Sequence, residues 1–159
     1  MEPSVTGDGD GVFRFIICRL ADDAPVGRLD LFDIDRPNGH CSFGIAIGEP
    51  ATWGQGLGTD AVNAILDFAF GELRMERVWL DTDADNLRAQ AAYRKAGFVV
   101  EGRLRHVWFL DGVHTDDLRM AILRDEWQAL TRPRSWELLA AEAAGTVPSD
   151  GEPRTQPDG

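Results

Sequence analysis

Between Phe43 and Ala61 the chain reads FGIAIGEPATWGQGLGTDA: an apolar run, a turn, three alternate glycines and the opening of a helix. Phe43, Ile45 and Ile47 alternate with smaller residues, which is the period of a strand ending near Gly48. Gly54, Gly56 and Gly58 follow at every second position, where the missing Cβ lets the backbone take positive φ and present N–H groups to an anion at close range. Downstream, Val62, Ile65, Leu66, Ala69, Phe70 and Leu73 recur at helical spacing, as one face of a helix lying on a sheet does. A strand, a glycine turn and a helix N-terminus make a diphosphate site, because the unpaired N–H groups of the first turn and the positive end of the helix dipole converge on the ligand.

Three other readings compete for this stretch. A nucleotide-binding P-loop ends in Gly-Lys-Ser/Thr, whereas Gly58 is followed by Thr59 and Asp60, so the phosphate-binding lysine is missing. A dinucleotide fingerprint needs a third glycine where Thr59 stands; it is kept as an alternative enzyme class. A glycine-rich surface turn without a ligand is the plainest reading, and the decision against it comes from the rest of the chain.

The segment Trp53 to Ala61 resembles motif A of the GNAT family of N-acetyltransferases, most closely the branch that acetylates ribosomal-protein and other protein N-termini. The resemblance continues through Asp85-Asn86 to Tyr93-Arg94-Lys95-Ala96-Gly97-Phe98, which matches motif B, and on to Trp127. It implies an α/β (α+β) fold: a mixed, mostly antiparallel twisted sheet with helices on both faces and one parallel strand pair at the coenzyme A site. It also implies direct attack of a primary amine, from a protein N-terminus or a small molecule, on acetyl-CoA through a tetrahedral intermediate, with no metal. By the same resemblance, Trp53, Gly54, Gln55, Gly56, Leu57, Gly58 and Thr59 hold the pyrophosphate, and backbone N–H groups around Ile45, Ala46 and Ile47 face the developing oxyanion. Asn86 meets the pantetheine arm, Lys95 reaches a phosphate, and Tyr93, the only tyrosine, protonates the departing thiolate. No general base is evident; His40, Asp81 and Asp83 are the nearest candidates. A degenerate, non-catalytic coenzyme A-binding or interaction module remains the alternative function.

Composition narrows the partners. A net charge of −11 leaves no basic surface for nucleic acid or an anionic membrane and favours cationic acceptors such as amines. Cys18 and Cys41 lie in apolar runs, show no metal-ligand spacing with His40, His106 or His114, and read as small hydrophobes. No apolar run reaches membrane-spanning length and MEPSVTGDGDG is not a signal peptide, so a cytoplasmic location is expected.

The expected organisation is a disordered N-terminus over 1–11, an acetyltransferase domain over 12–131, a C-terminal helix over 132–145 and a disordered tail over 146–159. Asp111-Gly112 is a hairpin turn pair, and Gly97 closes the motif B helix. The strand and two helices that open most family members are not evident before Phe13. The expectation is that the acceptor side is covered in a homodimer, through the edge strand or the final hairpin, or by the helix of Trp136, Leu138 and Leu139 folding back.

Overall fold

A computed structural model describes residues 6–8, 11–19, 21–48 and 56–145. A seven-stranded sheet in the order β1-β2-β3-β4-β5-β7-β6 carries the molecule. Its strands are β1 (Thr6–Asp8), β2 (Val12–Cys18), β3 (Pro25–Asp35), β4 (His40–Ile47), β5 (Arg77–Asp83), β6 (Val99–Leu110) and β7 (Val113–Leu123), and its helices are α1 (Leu57–Asp67), α2 (Leu87–Lys95), α3 (Arg124–Ala129) and α4 (Ser135–Ala143). All strand pairs are antiparallel except β4 with β5, the pair separated in sequence by α1. Parallel neighbours need a long crossover connection, and α1 supplies it.

The first correction concerns the N-terminus. Thr6–Asp8 is not disordered but pairs antiparallel with Val12–Arg14, so the sheet edge lies one strand beyond the β2 edge expected from the sequence. The tail over 146–159 lies outside the described residues.

Alternation along the strands separates two faces. Phe43, Val78, Leu80, Met120 and Ile122 join Val62, Ile65, Leu66 and Phe70 of α1, Tyr93 and Ala96 of α2, and Trp127 of α3 in one core cluster. Each fully buried side chain of this kind contributes about 1.5–3 kcal/mol. α4 reaches the same side through Trp136, whose ring meets Trp127 at 6.3 Å. Among the described residues these four helices contact the same face of the sheet. The opposite face presents Ile16, Arg28, Asp30, Trp79, Asp81 and Arg119, with the Arg119 guanidinium 4.2 Å above the Trp79 ring and bonded through both arms to Asp81.

α1 ends in a π-helical turn over Phe68–Glu72, closed by the Leu73 N–H to the Phe68 carbonyl. At that end Asp67, 1% exposed, accepts hydrogen bonds from Trp127 Nε1, the Arg132 guanidinium, and the Ser135 N–H and hydroxyl. This knot ties α4 to the C-terminal end of α1. The helix does not fold back as a wall over the opposite face, because its anchor is a buried carboxylate and its Trp136, Leu138 and Leu139 stay about half exposed.

Candidate active site

The parallel pairing of β4 and β5 runs only from His40/Arg77 to Ser42/Trp79. Both strands continue past that point, β4 to Ile47 on β3 and β5 to Asp83 on β7, so a gap opens between them toward their carboxyl ends. The Gly48 N–H donates to the Val26 carbonyl, and Ile47 stands opposite Gly27. In an antiparallel ladder this makes Ile47 and Ile45 the residues whose N–H and C=O point away from β3, into the gap, while Ala46 bonds back to β3. Of the three positions expected from the sequence to face an oxyanion, Ile45 and Ile47 turn their N–H groups into the gap and Ala46 turns its own to β3.

The N-terminus of α1 stands at the same end. Gly56 is its N-cap with φ 82°, a left-handed backbone that side chains disfavour, and no side chain caps the helix. Asp60 N–H bonds the Gly56 carbonyl, which leaves the N–H groups of Leu57, Gly58 and Thr59 as the free donors of the first turn. Gly58 has ordinary helical φ, so its glycine is not a conformational need. A Cβ there would sit 3.4 Å from Ile47 Cδ1, which places the first turn directly against the end of β4. Trp53, Gly54 and Gln55 lie outside the described residues.

α2 begins at the carboxyl end of β5. Asn86 caps it, with Oδ1 accepting from the Ala89 N–H at 3.1 Å, and its amide nitrogen is left for another acceptor. The helix closes with Phe98 N–H to the Tyr93 carbonyl and Gly97 N–H to the Arg94 carbonyl, the paired bonds of a Schellman stop. Tyr93 is 9% exposed and rests edge-on against Phe43 at 6.0 Å and Phe98 at 5.9 Å, beside β4 at the residue where the gap begins. Burial pushes its phenol above the ordinary value, so the group stays protonated through neutral pH and is a proton donor there. Lys95 is exposed in the last turn of α2, about 13 Å along the helix from Asn86, and the structure does not bring it to the other site residues.

The candidate bases separate clearly. His40 lies where β4 and β5 are still paired, about 23 Å along the strand from Ile47, with Nε2 3.5 Å from Asp35. Asp81 is committed to Arg119, and Asp83 accepts the Asp85 N–H at 2.7 Å. Cys41 is fully buried with its thiol pushed up to about 12, which removes it as a nucleophile. Sequence reasoning passed over Asp117. It is 5% exposed on β7, directly opposite Asp83, and accepts Trp108 Nε1 at 2.9 Å. A two-residue bulge in β6 between Leu104 and Trp108 sets that contact, and no local pattern announces it.

The family model for the GNAT acetyltransferase domain matches residues 4–99, which include the open-ended parallel pair and the glycine-led helix. The chain belongs to the GNAT acetyltransferase family. It is 33% identical over 130 residues, 82% of this chain and 68% of the relative, to the spermidine N(1)-acetyltransferase of Escherichia coli K12. It is 28% identical over 109 residues, 69% of this chain and 59% of the relative, to a putative ribosomal N-acetyltransferase of Bacillus subtilis. A solved spermidine N-acetyltransferase from Vibrio cholerae, in complex with CoA and spermine, superposes with TM-score 0.70 at 28% identity, covering 75% of this chain and 69% of that one. Another structure of the Vibrio cholerae enzyme is dodecameric. As in the GNAT fold generally, acetyl-CoA is the co-substrate; among the described residues no cluster of three or more metal-ligating side chains occurs.

Proposed function

We propose that this GNAT enzyme transfers the acetyl group of acetyl-CoA to the primary amine of a small cationic acceptor, a polyamine or diamine, rather than to a protein N-terminus. The observation that carries the reading is the β4/β5 gap, which joins the uncapped α1 N-terminus and Tyr93 on the helix-covered face to the carboxylates of Asp83 and Asp117 on the other side. The N–H groups of Leu57, Gly58 and Thr59 bind the pyrophosphate, and the side-chain amide of Asn86 orients the pantetheine arm. The N–H groups of Ile45 and Ile47 take up the negative charge that develops on the thioester oxygen as the neutral amine attacks. Tyr93 gives its proton to the leaving sulfur as the C–S bond breaks, and the proton shed by the acylated nitrogen passes through water to restore the phenol. A polyamine acceptor agrees with the net charge of −11 and with the spermidine acetyltransferases among the relatives.

Turnover of acetyl-CoA with spermidine, short diamines and a set of N-terminal peptides tests the reading. Acetylation of the amines at kcat/KM at least tenfold above any peptide is expected; exclusive peptide acetylation replaces the acceptor class, and binding of CoA without any turnover favours the non-catalytic module.

Assembly and location follow from the same reading. The end of the β6–β7 hairpin exposes Trp108, Phe109, Leu110 and Val113, each more than half accessible, and such an apolar end suits a contact between copies in a homodimer or larger assembly. Sedimentation as a monomer at micromolar concentration would remove that element. A cytoplasmic location is proposed because acetyl-CoA is available there; among the described residues no helix is long and apolar enough to cross a membrane.

A further inference from the structure

Two carboxylates are buried among the described residues, Asp67 and Asp117. Asp67 is satisfied by the Arg132 guanidinium together with Trp127 and Ser135. Among the described residues, Asp117 has one neutral donor, Trp108 Nε1, on one oxygen, and no cation. Arg119, two residues along β7, is committed to Asp81 and Arg103 to Asp116, while Arg105 in the β6 bulge is exposed and makes no hydrogen bond or ion pair with Asp117 among the described residues. The residue directly across on β5 is a second carboxylate, Asp83. Like charges opposite one another repel, and a buried carboxylate is stable only with a counter-charge. One register down the same two strands, Asp81 faces Arg119 and the pairing is complete. Two residues away on the same face, the Thr115 hydroxyl is buried without a partner among the described residues.

The position of this incomplete pair is as informative as its charge. Asp83 ends β5 at the mouth of the β4/β5 gap, and Asp83 and Asp117 alternate out of phase with Leu80, Thr82, Met120 and Ile122. They therefore lie on the helix-free face, opposite Tyr93 and α1. We propose that Asp117, held by Trp108 and assisted by Asp83, is the anchor for the distal ammonium of a diamine or polyamine acceptor, whose other, neutral amine enters the gap from this face. The inference rests on the amine-acceptor reading and assigns its charge recognition to one buried side chain. Trp108 acts as a positioning residue: its indole N–H fixes one oxygen of Asp117 and leaves the other directed to the ligand.

The test compares wild type, Asp117→Asn and Trp108→Phe with 1,4-diaminobutane and butylamine as acceptors, and measures spermidine binding by calorimetry in saturating CoA. For Asp117→Asn, KM for the diamine and the Kd for spermidine should rise about 10- to 100-fold, the range of a lost charge-assisted contact, with kcat within about threefold and little change for butylamine or acetyl-CoA. Trp108→Phe should give a smaller rise in the same two quantities. Removing an uncompensated buried charge should leave the melting temperature unchanged or higher. A drop in melting temperature with equal losses for both acceptors would assign Asp117 a structural role and overturn the proposal. Efficient amine acetylation with undiminished spermidine binding by Asp117→Asn would overturn the anchor while the amine reading stands. Weakened spermidine binding in an enzyme that acetylates no amine would support the anchor and remove the amine reading.

Discussion

Replacing Gly58 by alanine should move stability and cofactor affinity in opposite directions. Gly58 has helical φ in the first turn of α1, and the nearest atom to an added Cβ is the flexible end of Ile47 at 3.4 Å, an ordinary contact. Alanine therefore fits the apo protein, and the gain in helix propensity is at most about 0.5–1 kcal/mol. For a chain of this size that corresponds to a rise of about 1–4 °C in melting temperature. The same Cβ lies in the first turn, whose N–H groups are assigned to the phosphate, and should crowd an oxygen bound there. Displacing one phosphate oxygen from a backbone N–H forfeits a charge-assisted hydrogen bond, about 1.5–3 kcal/mol, or roughly 10- to 150-fold in the Kd for CoA. Thermal melts without ligand and calorimetry with CoA read the two effects separately. Gly56→Val is the contrasting control: nothing lies within 4 Å of its Cβ, but φ is 82°, so it should lose about 1–3 kcal/mol of stability from backbone strain as well as affinity. A Gly58→Ala protein that binds CoA as tightly as wild type would refute the placement of the pyrophosphate at this turn.

Tyr93→Phe preserves the ring contacts with Phe43 and Phe98 and removes only the hydroxyl, so kcat should fall roughly 100-fold with little change in KM. Because burial raises the Tyr93 pKa, the phenol stays protonated through neutral pH and any alkaline loss of rate should fall above the ordinary phenol range, and a variant that keeps full kcat would assign protonation of the thiolate to water. Asp67→Ala leaves the Arg132 charge without its partner and should cost about 3–5 kcal/mol, seen as a melting temperature lower by roughly 6–20 °C. Burial alone would raise the Asp67 pKa, but the Arg132, Trp127 and Ser135 hydrogen bonds outweigh it and the net direction is down. The knot therefore contributes fully above the unfolded carboxylate value of about 4 and is lost as pH falls through the lower folded value, so Trp136 fluorescence should report release of α4 in acid in wild type but show no such transition in Asp67→Asn.

The parts legible in the sequence were those with local causes. The helix phase of Val62, Ile65, Leu66 and Phe70, the Asn86 cap, the Gly97 stop and the Asp111-Gly112 turn each follow from residues within a few positions of one another, and all appear in the structure. The order of elements pointed to the parallel β4/β5 pair, because the intervening helix supplies the crossover that parallel pairing needs. Tertiary structure decided what depends on register and on contacts distant in sequence. How far β4 and β5 stay paired determines where the gap opens and which of Ile45, Ala46 and Ile47 point into it. A β6 bulge brings Trp108 to Asp117, and the β5/β7 register sets Asp83 against it. The Asp67 knot joins groups 60–68 residues apart, and through it α4 sits on the far end of α1 instead of covering the open face. Periodicity reports that a side chain faces inward; only the assembled sheet shows whether the charge that it brings inside has found its partner.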